Sequence, residues 1–107
     1  MCPRNLLQTP HDLAQPEETF ESLLETRAFR LEHIASRGCS TPPGEWYNQK
    51  HPEWVLLLQG TAELTFADGE STQLRPGDHL HIPAHRKHRV ASVSHDALWV
   101  ALHYKET

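Results

Sequence analysis

GDHLHIPAHRKH, Gly77 to His88, is the stretch on which the reading of this chain turns. Pro76 precedes it, so the segment opens on Pro-Gly-Asp, residues that set a tight turn. His79–Ile82 then alternates polar and apolar side chains, the pattern of a half-buried strand, and Pro83 ends it. With Leu80 and Ile82 facing a core, His79 and His81 face away, and a solvated strand face accounts for that pair. His85 and His88 follow in a basic turn (HRKHR). Four of the chain's nine histidines thus fall in this one stretch.

Upstream lies a second informative segment, Gln49–Gly60. Within it, Glu53–Gln59 (EWVLLLQ) is the most apolar run of the chain, and both its faces are apolar. Val55 and Leu57 lie on one face, Trp54, Leu56 and Leu58 on the other. In an antiparallel protein, a strand apolar on both sides predicts that the second face is also covered, and a homodimer interface through Trp54 would do so. Gly60 makes a tight connection to Thr61–Phe66, and Asp68-Gly69 marks a hairpin. Ser71–Leu74, Arg89–Val93 and Leu98–Tyr104 complete a set of short strands separated by turns. That spacing predicts an all-β barrel or sandwich rather than alternating strands and helices.

Nearer the start, RAFRLEHIAS alternates Phe29 and Leu31 against Arg30 and Glu32, another half-buried strand. Gly38–Gly44 is a loop by composition, and Trp46–Gln49 could form a short strand. EETFESLLE, residues 17–25, carries Phe20, Leu23 and Leu24 at helical spacing behind acidic residues suited to a helix N-terminus. The sequence therefore predicts residues 1–26 as an arm with a short helix and residues 27–107 as the barrel.

A chain of 107 residues is one domain by size and large enough for a core of its own. Ten basic and fourteen acidic residues give a net charge of −4, which argues against nucleic acid as a partner. Two cysteines, Cys2 and Cys39, make no disulfide framework. No apolar run reaches the length of a signal peptide or a membrane span, so a soluble cytoplasmic protein without membrane partners is expected. No nucleophile elbow or phosphate-cradling glycine loop occurs.

The two segments resemble the signatures of the cupin superfamily, small single-domain jelly-roll proteins among them. The second signature, G-x5-P-x-G-x2-H-x3-N, is met by Gly77, Pro83 and His88, with His85 in the glycine place and Ser92 in the asparagine place. The first, G-x5-H-x-H-x(3,4)-E-x6-G, is met by Glu53 and Gly60. Its two histidines fall on Tyr47 and Gln49, or on Trp46 and Asn48, and are missing. The resemblance covers about residues 27–104 and implies a double-stranded β-helix barrel of two antiparallel sheets.

It also implies a single metal ion (Fe, Mn, Ni or Zn) with Glu53 and His88 among its ligands. Gln49 and His51 share strand parity with Glu53 and are candidate substitutes for the lost histidines. Two imidazoles and a carboxylate suit an open mononuclear site able to polarise a substrate or activate water. His85, where a glycine is expected, calls for a positive φ and could turn into the barrel mouth or out to solvent. Tyr47 and Trp46 could shape a small-molecule pocket, or pack in the core. His33 and His103 read as hydrogen-bonded strand residues. Two functions of different class are compatible with this pattern: a metal-dependent enzyme, or a metal-free ligand-binding or sensor protein that uses Glu53 and His88 as hydrogen-bonding groups.

Overall fold

The computed structural model describes residues 3–8 and 17–106. Eight antiparallel strands form two sheets. The strands are β1 (Thr19–Glu25), β2 (Phe29–Ala35), β3 (Glu53–Gln59), β4 (Ala62–Phe66), β5 (Ser71–Leu74), β6 (His79–Ile82), β7 (His88–Val93) and β8 (Leu98–Tyr104). The larger sheet runs β1-β2-β8-β3-β6 and the smaller β5-β4-β7. The alternation of each strand fixes which side chains the two sheets enclose. Val55 and Leu57 of β3, Leu64 of β4, Leu74 of β5, Ile82 of β6 and Trp99 and Ala101 of β8 make the core between them.

Residues 17–25 do not form the expected helix. Thr19–Glu25 is an edge strand paired with β2, and a register shift between Ser22 and Leu24 marks a bulge. That bulge accounts for the misleading spacing. One extra residue breaks the period of two and sets Leu23 beside Leu24, which mimics a helical stripe. A helix of nine residues is marginal alone, whereas pairing to β2 satisfies the backbone outright. The large sheet therefore continues across residue 26. Arg4 ties residues 3–8 to β1 through Glu21, at 2.6 Å. The rest of the expected arm, residues 9–16, lies outside the described residues.

Trp46–Gln49 forms no named strand, only a bridge of Tyr47 with His88. Gly60 sits at the corner where the chain passes from the large sheet to the small one, with φ at 86°. A Cβ there would lie 2.7 Å from Ala97 Cα and would also strike Ser94 Oγ. The closing glycine of the first signature is thus demanded by packing and by backbone conformation together.

The outward pairs of the large sheet are apolar, as the β3 pattern predicts. Trp54 lies opposite Leu102 and Leu56 opposite Val100 on β8. Leu31 lies opposite Leu102, and Phe29 opposite Tyr104. His79 and His81 stand on this outer face. His79 Nδ1 accepts from Trp54 Nε1 at 3.1 Å, and His81 Nε2 shares a hydrogen bond with Tyr104 Oη at 2.7 Å. No helix among the described residues is long and apolar enough to cross a membrane.

Candidate functional site

Glu53 opens β3, where it is registered against His103 of β8 on one side and Ile82 of β6 on the other. Its side chain shares a face with Val55 and points between the sheets. Glu53 keeps 6% of its exposure and His88 5%, so both are core groups by burial yet ionisable by chemistry. A cavity of about 100 Å³ runs between the sheets, with Glu53, His88, Gln49, His103 and Glu32 on its polar side. Its walls are apolar and include Ile34, Leu64, Val90 and Trp99.

The segment before β3 is held to the start of β7 by backbone bonds. Tyr47 N donates to His88 O at 2.7 Å, His88 N to Tyr47 O at 3.1 Å, and His85 N to Gln49 O at 2.8 Å. The Tyr47 ring stacks on the His88 imidazole, with centroids 5.5 Å apart. On the other side the Phe66 ring lies 6.3 Å from it. His88 is thus clamped between rings, and its Nδ1 lies 2.9 Å from Arg86 O. A carbonyl only accepts, so Nδ1 carries the proton and Nε2 offers a lone pair. Burial holds the His88 imidazole below its ordinary range and hence neutral.

His103 is the opposite case. Its Nε2 lies 2.8 Å from Glu32 Oε1 and 3.5 Å from Glu53 Oε2. The hydrogen bond that His103 donates to Glu32 raises the His103 pKa, and the same bond lowers that of Glu32. Arg30 Nε supports Glu32 from the far side at 3.4 Å. Glu53 itself is raised, because burial penalises its charge more than His103 relieves it. The other Glu53 oxygen, Oε1, stands 3.8 Å from His88 Nε2, beyond hydrogen-bond reach. With His88 neutral this contact is no ion pair. One buried carboxyl therefore stands between two imidazoles whose surroundings shift their pKa values in opposite directions. Environments that push two such groups apart mark an acid and a base at one site.

Of the five proposed metal ligands, the cavity collects Glu53, His88 and Gln49. His51 is exposed, because the chain bends at Lys50 and His51 and strand parity does not extend back past Pro52. His85 takes the left-handed φ expected of it, 65°, and turns outward, its Nδ1 3.1 Å from Asn48 Oδ1. Tyr47 lines the cavity, while Trp46 is 39% exposed and lies beside a shallow outer cleft with Thr41 and Glu45.

Glu32 and His103 extend the site beyond that sequence set. Glu32 stands on the polar parity of β2, which reads as solvent-facing, and it is the register to β8 that brings it against His103. The signal available in the sequence was a charged residue in the middle of a strand that neighbours the central ones.

A transition-metal centre would draw here on a sparse donor set. Among the described residues no three His, Cys, Asp or Glu side chains gather as metal ligands. His88 Nε2 is the imidazole nitrogen free for coordination, since His103 Nε2 is committed to Glu32. Glu53 and the amide oxygen of Gln49 would have to complete the set. Gln49 Oε1 is buried and unpartnered, while the Gln49 amide hydrogen-bonds Glu53.

The profile of the Cupin domain family matches residues 32–103. Among solved structures, a Ralstonia eutropha JMP134 protein named as a candidate mannose-6-phosphate isomerase is 35% identical. The match covers 98% of this chain and all of that one, with a TM-score of 0.89. A cupin superfamily protein from Desulfitobacterium hafniense DCB-2 is 21% identical over 84% of this chain and 79% of that one, with a TM-score of 0.72. KdgF from a Halomonas species is 22% identical over 88% and 85%, also with a TM-score of 0.72. No curated protein matches the chain.

Proposed function

The chain belongs to the cupin family, and within it we propose a small-molecule-binding protein whose cavity takes a small polar ligand and exchanges protons with it. The observation that carries this reading is the placement of Glu53 between His88, whose pKa burial lowers, and His103, whose pKa the bond to Glu32 raises. An isomerase, the activity named for the Ralstonia protein, needs a base to remove a proton and an acid to return one. In this reading His88 Nε2 serves as the base, and Glu53, with His103 behind it, serves as the acid. Apolar walls exclude water and strengthen each of these interactions.

The test is imidazole NMR on untagged protein with a panel of small hydroxy and carbonyl compounds, alongside exchange of substrate C–H protons into deuterated water. Binding should move the His88 and His103 signals. His88→Gln should abolish any proton exchange while leaving the fold intact. A panel that moves neither signal would sink the reading.

A second reading places one divalent transition metal on His88 Nε2, Glu53 and Gln49 Oε1, favoured by the unpartnered Gln49 oxygen. Such an ion would supply Lewis acidity at that end of the cavity. Elemental analysis decides it: stoichiometric metal that vanishes in His88→Ala supports it. No metal after growth in supplemented medium, with no rise in melting temperature on adding Fe, Mn, Ni or Zn, rejects it.

We further propose that a second copy of the chain covers the outer face of the large sheet. Trp54, Leu56, Val100, Leu102, Leu31 and Phe29 share that face through their pairings, and the face carries no charged side chain on β2, β3, β6 or β8. An uncharged apolar face meets its own copy without like-charge repulsion, as a twofold interface requires.

A further inference from the structure

Resting on the small-ligand reading above, we infer that the cavity is built for an uncharged hydroxylated compound and rejects phosphorylated or carboxylated ones. The argument is one of hydrogen-bond polarity. Two buried polar atoms left for a ligand beside Glu53 are acceptors. His88 Nε2 has its lone pair free because Nδ1 faces the Arg86 carbonyl. Gln49 Oε1 is buried without a partner, its amide nitrogen turned to Glu53. At the other end Glu18 lines the cavity, with Ser36 Oγ donating to its Oε2 at 3.4 Å. A buried acceptor without a donor is costly, so the ligand that relieves Gln49 Oε1 must bring an N–H or O–H to it.

An anion would find no uncommitted cationic side chain here, since His103 Nε2 is already held by Glu32 at 2.8 Å. Three carboxyl side chains, Glu18, Glu32 and Glu53, line the cavity, and no lysine or arginine does. The nearby arginines are committed elsewhere. Arg30 is held by Glu32, Arg86 by Asp68 and Glu70 while it lies over the Phe66 ring, and Arg37 donates to Glu17 O and Thr19 Oγ1. The residues outside the described set include neither lysine nor arginine. A phosphate brought to this end would face lone pairs and carboxyls. A cationic ligand would have to displace His103, whose Nε2 already engages Glu32 at 2.8 Å and Glu53 at 3.5 Å. What remains is a neutral donor, and hydroxyls supply it within the small volume available. The phosphate in the name of the Ralstonia protein is thus the part of such a substrate that this cavity does not hold.

The test uses four probes on the full chain: glycerol, mannose, mannose 6-phosphate and inorganic phosphate. Affinity is read from the His88 and His103 imidazole signals, with zinc added in a separate arm. Glycerol and mannose should move His88, and mannose 6-phosphate should bind at least tenfold more weakly than mannose. Gln49→Met should weaken mannose by about three- to tenfold, the worth of one hydrogen bond to a neutral donor. Gln49→Glu, which keeps an acceptor oxygen, should retain binding; Gln49→Met that melts as the parent shows the loss is not one of folding. If the phosphorylated probes move His88 and the neutral ones do not, this inference fails while the small-ligand reading stands. If zinc alone moves it, a metal occupies the acceptors and the inference fails. If nothing moves it, both fail.

Discussion

Glu53 and His103 face each other directly across the β3–β8 ladder, and their side chains meet with Oε2 and Nε2 3.5 Å apart. This cross-strand pair ties the chemistry of the cavity to the register of the sheet. A slip by one residue would move both groups out of the cavity together. The behaviour of each depends on a third residue, Glu32, which takes the closer contact with His103 at 2.8 Å.

Removing that third charge exposes the dependence. In Glu32→Gln the His103 pKa should fall, and stability at neutral pH should drop by about 1–3 kcal/mol, the range for a hydrogen bond to a charged group. The signs follow from the two shifts. His103 is raised, so its contribution is full below its ordinary value of 6.5 and fades as pH rises through the folded value. Glu32 is lowered, so its contribution is full above its ordinary value of 4.5 and fades as pH falls through the folded value. Urea unfolding against pH checks this: the parent should hold a stability shoulder from about pH 5 upward through 6.5, and the variant should lack it.

His88 acts with the other sign. Its pKa is lowered, so the unfolded chain takes up the proton first and stability is lost as pH falls below the ordinary 6.5. His88→Gln, which can still donate to Arg86 O, should shed that acid sensitivity. The slope removed should not exceed about 1.4 kcal/mol per pH unit, one proton's worth. An unchanged pH profile would show that His88 is not held neutral.

His85→Gly should be neutral or stabilising by up to about 1 kcal/mol, since glycine adopts a φ of 65° without the penalty of a Cβ. Ligand or metal binding should be unaffected, because the side chain turns to Asn48. A loss of binding in this variant would return His85 to the site.

Gly60→Ala should cost about 2–4 kcal/mol from the left-handed backbone and the collision with Ala97 together. Thermal melts give the answer, and a variant as stable as the parent would mean that the sheet corner yields.

Trp54→Glu places a charge in the middle of the uncharged outer face. Light scattering should show the proposed dimer for the parent and a monomer for the variant. A dimer that survives the substitution would locate the contact elsewhere.

The strands from β2 onward were legible because most alternate with a two-residue period and most joints between them carry glycine or proline. Leu80 and Ile82 point inward and His79 and His81 outward, as alternation alone requires. β1 was not legible, since its bulge erased the period. Glu53 and His88 were singled out by the spacing of the cupin signatures that the two segments resemble. His51 could not be placed, as parity fails across the bend that precedes Pro52. Glu32 and His103 lie far apart in sequence, and only a strand register unites them. Such pairings are invisible to any local pattern.

The course of residues 47–49 is set by backbone hydrogen bonds to His85 and His88. Main-chain pairing is indifferent to which side chains it carries. The positions that face the cavity from this lip can therefore exchange histidine for tyrosine or glutamine without rerouting the chain. Inheritance of the scaffold is in this way uncoupled from inheritance of the ligand set, and a family member can change what it binds through a few point substitutions while every strand stays in place.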